Sequence, residues 1–289
     1  MIPGAFEYHA PADLAGAIAL LTRYGDEAKL LAGGQSLIPM LRFRLAQPAH
    51  LIDVGRIDGL AFIREDDRYL RIGAMTREAD LEAAPVVAER YPILLDTAAV
   101  IADPLVRNLA TVGGNLAHAD PANDHPATML AQWAELVAQG PNGTRVIPVD
   151  EFFLDLFTTA LAHDEILTEI RIPRPEPGSG GAYVKLERKV GDYAIAGVAA
   201  QLKLDAAGRI ERAGIGLTNV GATPLRAEAA EAALIDQPAD EMVFRAAGEL
   251  AAQRAEPTDD LRGPADYKRA MIRTLTVRAL QRAAERVRP

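Results

Sequence analysis

Residues 108–127, NLATVGGNLAHADPANDHPA, contain the pattern that decides the fold of this chain. A Gly113-Gly114 pair stands between Thr111 and Asn115, and an Asp-Pro-x-x-Asp sequence follows. Glycine has no Cβ, so such a pair lets the main chain approach a ligand closely. The segment is therefore a candidate binding loop.

A similar pattern lies at residues 31–43, LAGGQSLIPMLRF, where Gly33-Gly34 precedes Gln35 and Ser36. One Gly-Gly pair is usually only a turn that ends a strand. Two pairs with the same kind of polar neighbours favour a ligand that both segments share.

Chemically, the two segments fit a dinucleotide. Successive N–H groups in a glycine turn form a concave anion site. Side-chain hydroxyl and amide donors stand beside both pairs: Ser36, Thr111, Gln35 and Asn115. Neither G-x-x-x-x-G-K-[ST] nor G-x-G-x-x-G occurs. A ligand with two phosphates, held by two distant loops, fits better than a nucleoside triphosphate.

Composition excludes several classes of function. The 289 residues are 49% hydrophobic and 25% charged, with a net charge of -9 and no basic block, which argues against nucleic acid. The N-terminus lacks a signal-peptide pattern and no run of about 18 apolar residues occurs, so we expect a cytoplasmic chain without an integral membrane segment. With no cysteine, the chain contains no disulfide, thiolate nucleophile or cysteine-ligated iron-sulfur cluster.

Periodicity predicts an α+β chain with a linker at the Pro- and Gly-rich segment around residue 176. Before the linker we expect an α/β unit and then a strand-rich unit; after it, an antiparallel sheet backed by helices. Helices are predicted at Asp13–Tyr24, Thr76–Val87, Ile93–Ala102, in the alanine-rich segments AEAAEAALI and FRAAGELAAQRA, and at about Pro264–Arg286.

Four potential metal ligands lie within residues 118–125: His118, Asp120, Asp124 and His125. They stand beside prolines in a loop and include no i,i+4 histidine pair, so the metal signal is weak. An aspartate here could instead accept from sugar hydroxyls, and Asp124 could cap the helix that starts near His125.

The ordered set of motifs resembles the flavin-binding medium subunit of molybdenum hydroxylases, the group with carbon monoxide dehydrogenase and the FAD segment of xanthine dehydrogenase. The matching pieces are AGGQSL, RNLATVGGNLAHADPANDHPA, EILTEIRIP and YVKLERKVGDYAIAGVA, followed by a C-terminal sheet-and-helix domain of the expected length, so the resemblance covers essentially the whole chain. Related chains often have His where this one has Gln35; both side chains donate hydrogen bonds, so binding is not in doubt.

The resemblance implies an FAD-binding fold of the vanillyl-alcohol-oxidase (PCMH) type at 1–176, with subdomains 1–56 and 57–176, and a C-terminal α+β domain at 177–289. It implies pyrophosphate contacts from both glycine segments, a flavin-binding Asp124, contacts from Ile101, Leu167 and Lys185, and ring-side positions for His118 and Tyr193. The expected FAD-binding residues are Ala32, Gly33, Gly34, Gln35, Ser36, Leu37, Ile101, Thr111, Gly113, Gly114, Asn115, His118, Asp120, Asp124, Leu167, Lys185 and Tyr193. Judged alone, Ile101 and Leu167 favour core positions, and Lys185 and Tyr193 a solvated strand charge and a surface aromatic.

The implied function is an electron relay without catalytic acid/base residues or a metal of its own. FAD in this chain would take electrons from iron-sulfur clusters of a small subunit and pass them to an external acceptor, with molybdopterin in a large subunit and a dimer of heterotrimers as the assembly. The alternatives are a self-contained flavoprotein oxidoreductase and a flavin-free scaffold. The sequence leaves open the substrate (carbon monoxide, an aldehyde, a purine or an N-heterocycle), the acceptor (NAD, a quinone or oxygen) and FAD retention without partners.

Overall fold

A three-stranded parallel sheet forms the N-terminal part of the chain in the computed structural model, which describes residues 2–287. Its strands follow the order β1-β3-β2. The elements are β1 (Glu7–His9), α1 (Leu14–Tyr24), β2 (Ala28–Leu31), α2 (Leu37–Arg42) and β3 (His50–Asp53).

The limits predicted for helix α1 are confirmed, since Asp13 caps it and Tyr24 is its last residue. The Asp13 carboxylate accepts a 2.8 Å hydrogen bond from the Gly16 N–H, and Gly25, at φ 52°, ends the helix. Its buried face packs Ile18 and Leu21 against the sheet core.

The middle of the chain builds a five-stranded antiparallel sheet with the order β4-β5-β10-β6-β7 and several short helices. Strands β8 and β9 form a separate two-stranded hairpin. The elements are β4 (Ile63–Glu65), β5 (Tyr69–Gly73), α3 (Glu78–Ala83), α4 (Pro85–Arg90), α5 (Pro92–Ala99), α6 (Pro104–Arg107), α7 (Val112–His118), α8 (His125–Ala131), β6 (Glu135–Gly140), β7 (Gly143–Pro148), β8 (Phe153–Asp155), β9 (Thr158–Thr159) and β10 (Ile166–Pro173).

Two predicted helices of this part have different limits in the structure. The helix expected at Thr76–Val87 is two helices, α3 and α4, because Pro85 begins a new helix and keeps the residue before it extended. The helix expected at Ile93–Ala102 ends at Ala99, and Ala102 has a positive φ of 46° that a helix cannot contain.

The C-terminal part is an antiparallel sheet, β11-β12-β13-β14, covered by three helices, as predicted. The α+β class is thereby confirmed. No helix among residues 2–287 has the length and apolar character needed to cross a membrane. The elements are β11 (Ser179–Leu186), β12 (Ala196–Leu204), β13 (Ile210–Thr218), β14 (Leu225–Arg226), α9 (Glu228–Leu234), α10 (Glu241–Arg254) and α11 (Ala265–Glu285).

Helix α8 packs directly on β13 through two glycines of the strand. A Cβ on Gly216 would lie 2.0 Å from the Ala127 carbonyl oxygen, and one on Gly214 would lie 2.1 Å from that of Ala131. Only glycine permits this approach. The contact places Asp124, just before α8, beside the C-terminal sheet.

Candidate cofactor-binding site

A cleft of about 690 Å³ opens where the first sheet, α7 and the edge of β11 meet. Its size suits a bound organic cofactor. The structure brings every predicted site residue except Asp120 to its wall. These residues are Ala32, Gly33, Gly34, Gln35, Ser36, Leu37, Ile101, Thr111, Gly113, Gly114, Asn115, His118, Asp124, Leu167, Lys185 and Tyr193.

The first glycine segment is an open loop between β2 and α2. Gly34 has a φ of 72°, a conformation that favours glycine. Gly33 lies against residue Leu109 just before the second segment, where an added Cβ would be 2.2 Å from the Leu109 carbonyl oxygen. Within the described chain, the main-chain N–H groups of residues 33–37 make no hydrogen bond to a protein acceptor. They are free to bind an anionic ligand.

The second glycine segment is the first turn of a helix, which corrects its interpretation as a glycine turn. Thr111 caps α7, since its Oγ1 accepts from the Gly114 N–H at 3.2 Å. The N–H groups of 112–115 all donate within the protein, including that of Gly113 to the Ala74 carbonyl at 2.9 Å. This segment therefore offers its Cα surface and side chains to a ligand, and no free N–H groups.

Asn115 offers the cleft a buried side-chain oxygen. Its Oδ1 is buried without any hydrogen-bond donor among the described residues. The Asn123 amide fixes the main chain beside it by donating to the Asn115 carbonyl at 2.8 Å. Since an unpaired buried acceptor is costly, Oδ1 is a natural acceptor for a ligand donor.

Asp124 is held by two side chains of β11. Its carboxylate accepts from the Tyr183 hydroxyl at 2.6 Å and from the Lys185 ammonium at 3.0 Å. Burial raises the pKa of Asp124, although Lys185 and Tyr183 oppose the shift. Burial also raises the pKa of Tyr183 well above its ordinary value. The alternative in which Asp124 caps α8 is wrong, because its side chain makes no cap hydrogen bond and accepts from two side chains of β11 instead.

Lys185 is a buried part of the wall. Its side chain is only 3% exposed, so the interpretation as a solvated strand charge is wrong. Besides Asp124, its ammonium donates to the Val100 carbonyl at 2.9 Å. Ile101 and Leu167 are buried as core residues would be, and both also line the cleft.

His118 and Tyr193 lie at the cleft with contrasting surroundings. Burial lowers the pKa of His118, and its ring lies 5.2 Å from that of Phe157. Tyr193 is 40% exposed, in line with a surface aromatic, yet it also lines the cleft. The Arg262 guanidinium lies 5.2 Å from its ring centre, a cation–π contact that fixes the ring.

Sequence reasoning missed several residues of the wall, among them Lys29, Phe157 and Asp192. Asp192 precedes Tyr193 within a matched motif, so its position next to a predicted site residue could have indicated it. Phe157 is an exposed aromatic in the β8-β9 hairpin, and Lys29 an isolated strand charge; neither carries a local signal.

The four potential metal ligands of residues 118–125 point in different directions. His125 is fully buried and its Nε2 lies 2.7 Å from Glu78 Oε2, whereas Asp124 is bound to Tyr183 and Lys185. Asp120 accepts a hydrogen bond from the Ala122 N–H at 2.9 Å. This arrangement converges on no common metal position.

Two family models match the chain. Residues 4–175 match the FAD binding domain in molybdopterin dehydrogenase, and residues 181–283 match the CO dehydrogenase flavoprotein C-terminal domain.

Several known proteins resemble the chain over its full length. It is 47% identical to the carbon monoxide dehydrogenase medium chain of Hydrogenophaga pseudoflava, covering 98% of both chains. It is 40% identical to the 6-hydroxypseudooxynicotine dehydrogenase complex subunit alpha of Paenarthrobacter nicotinovorans, covering 100% of this chain and 98% of that one. The structure matches that of carbon monoxide dehydrogenase from Hydrogenophaga pseudoflava lacking the Mo-pyranopterin moiety with a TM-score of 0.97 and 50% identity, over 99% and 100% of the two chains.

Proposed function

Because this chain belongs to the FAD-binding medium subunits of molybdenum hydroxylases, we propose that its cleft holds the FAD through which such a complex delivers electrons to an external acceptor. The chain is the flavoprotein subunit of an oxidoreductase, and the iron-sulfur and molybdenum centres belong to other subunits. Support for the location comes from the cleft wall, which carries both the free N–H groups of residues 33–37 and a buried unpaired acceptor on Asn115.

The proposed substrate of the complex is carbon monoxide. The relative with 47% identity is a carbon monoxide dehydrogenase medium chain. The 40% identity to a 6-hydroxypseudooxynicotine dehydrogenase subunit favours an N-heterocycle as the second candidate. The substrate pocket would lie in the large subunit, so residues of this chain do not choose between the two.

The proposed FAD-binding residues are those expected from the resemblance, with different roles for the two glycine segments. The loop at residues 33–37 would bind the pyrophosphate through its free N–H groups. The α7 segment would contact the cofactor through the Thr111 hydroxyl, the Asn115 side chain and the Cα surface of its glycines. Asp120, which does not line the cleft, would contribute to FAD binding from outside the wall.

Bound FAD supplies two-electron redox chemistry, while the protein positions it and sets the local electrostatics. Asp124, fixed by Tyr183 and Lys185, is a rigid acceptor for a ligand hydroxyl. His118, which its lowered pKa keeps neutral, and Tyr193, whose ring contacts Arg262, would limit the access of water and of other molecules to the cofactor. No residue needs to act as a general acid or base.

The assembly is a proposal as well. The relatives are subunits of multi-subunit complexes, and we propose a large molybdopterin subunit, a small iron-sulfur subunit and a dimer of the resulting heterotrimers. We also propose domains at 1–176 and 177–289. The cytoplasmic location and the acceptor stay open predictions.

Native mass spectrometry of the chain, tagged and isolated from its own host, tests the function. We expect a complex with two further chains and one FAD per copy. In a separate activity assay, this complex should reduce a dye with carbon monoxide as electron donor. Reduction with a nicotine-type heterocycle alone would favour the second substrate. A lone flavin-containing chain would indicate a self-contained oxidoreductase, and an assembly without flavin would overturn the proposal.

A further inference from the structure

Outside the cleft, three potential metal ligands converge on the first sheet: Glu7, His9 and His50. Glu7 and His9 lie on one face of β1, and His50 pairs in register with Glu7 on the adjacent parallel strand β3. None of the three belongs to the cleft wall. Most of the first α/β unit lies between residues 7 and 50 in the sequence, so no local motif indicates that the three side chains come together.

The ligand atoms have the separations of a metal site. His9 Nε2 and His50 Nδ1 are 3.1 Å apart. Glu7 Oε2 lies 3.4 Å from the His50 nitrogen and 3.9 Å from the His9 nitrogen. Ligand atoms about 2.05 Å from a tetrahedral zinc ion lie about 3.3 Å from each other. The observed triangle therefore needs only side-chain adjustments of a few tenths of an ångström.

Tyr24 fixes the two imidazoles. Its ring stacks on that of His50 with centroids 3.6 Å apart, and on that of His9 at 5.3 Å. The histidine side chains are 21% and 13% exposed, while that of Glu7 is 72% exposed. The group is thus prearranged on its buried side and open on the other, where a water could complete the coordination.

We propose that Glu7, His9 and His50 form a binding site for a divalent transition metal ion of the zinc type. Two imidazoles and one carboxylate are ligands that suit Zn²⁺, Ni²⁺ and Cu²⁺, and exclude a preference for Ca²⁺ or Mg²⁺. The ion would join β1 to β3 and stiffen the sheet on which the first glycine loop stands. The site lies outside the cleft proposed for FAD.

Zinc titration by calorimetry on the chelator-treated full-length chain tests the site. We expect one Zn²⁺ per chain. Loss of outer-shell partners already weakens metal binding by about 10–100-fold, so we expect His50→Gln to weaken it by about 100-fold and Glu7→Gln, at an exposed position, by about tenfold. His163→Gln, which removes a half-exposed histidine of the cleft wall and leaves the Glu7, His9 and His50 group intact, is the matched control and should bind zinc as wild type does.

Far-UV circular dichroism and thermal unfolding would check that each variant folds. The Co²⁺-loaded protein should show the visible absorption of low-coordinate cobalt, and His9→Gln should abolish it. If wild-type protein binds no stoichiometric zinc, or if His50→Gln and Glu7→Gln bind it unchanged, the three residues form only a hydrogen-bonded surface cluster and the proposal fails.

Discussion

The Asp124 carboxylate lies 3.0 Å from the Lys185 ammonium, and both side chains are almost completely buried. One residue precedes α8 and the other lies on β11, so the pair joins the middle of the chain to the C-terminal sheet at the cleft. Because desolvated charges require each other, this contact stabilises the fold at the wall of the cleft.

Lys185→Met should destabilise the chain by about 3–5 kcal/mol, because it leaves Asp124 buried without a cationic partner. Urea unfolding of the flavin-free chain measures this loss, and FAD content should fall with it. Combining the change with Asp124→Asn should restore part of the stability. Lys203→Met, a strand lysine with exposed partners, is the control and should matter much less. Equal effects of the two lysine variants would contradict the pairing.

Gly33→Ala should impair folding and FAD binding together. Its Cβ would meet the Leu109 carbonyl at 2.2 Å, and a main-chain atom cannot move aside as a side chain would. We expect a destabilisation of at least about 1–3 kcal/mol, measured by chemical unfolding, and a loss of bound flavin. Gly4→Ala has no neighbour closer than 3.9 Å and is the control. If Gly33→Ala bound as much flavin as wild type, FAD binding would not require the close contact between the two glycine segments.

Asn115→Ala should weaken FAD binding without destabilising the flavin-free chain, because Oδ1 has no protein partner to lose. The missing hydrogen bond corresponds to about 1–2 kcal/mol, or roughly 5- to 30-fold in affinity. Fluorescence titration with FAD gives the affinity, and thermal unfolding gives the stability. Asn142→Ala, in the exposed β6–β7 turn, should leave both unchanged. Unaltered affinity in Asn115→Ala would remove this residue from the proposed site.

His118 should make stability depend on pH below neutrality. Burial lowers its pKa below the ordinary 6.5, so the unfolded chain binds more protons than the folded one in this range. The contribution to stability is present above about pH 6.5 and is lost as pH falls through the lower pKa of the folded state. His118→Gln should therefore flatten the pH dependence of the unfolding free energy between pH 7.5 and 5.5. An equal flattening by His163→Gln would contradict this assignment.

Glu78 and His125 form a fully buried pair between α3 and α8, with Oε2 and Nε2 2.7 Å apart. Glu78→Leu should cost about 1–3 kcal/mol because it leaves the imidazole unpaired. Glu78→Gln keeps an acceptor for the histidine and should cost less. Chemical unfolding of both variants measures the difference. If glutamine and leucine are equally destabilising, the hydrogen bond is not what stabilises this contact.

The sequence by itself determined the features that depend on local chemistry. Helix α1 follows from the Asp13 cap and the closing Gly25, and the C-terminal sheet and helices follow from their periodicity. The glycine pairs and the ordered motifs also predicted FAD as the cofactor, and every predicted site residue except Asp120 lines the cleft, because those residues lie in short segments whose composition is unusual.

Only the tertiary structure decided which groups remain free to act. The N–H groups of 112–115 donate inside the protein while those of 33–37 do not, and two of the acceptors, the carbonyls of Ala74 and Thr76, lie outside both motifs. Lys185 is buried only because β11 lies against Val100 and Asp124, and Glu7 meets His50 only because β1 pairs with β3. Burial and long-range strand pairing bring together residues that are far apart in sequence, and a local sequence pattern cannot indicate either of them.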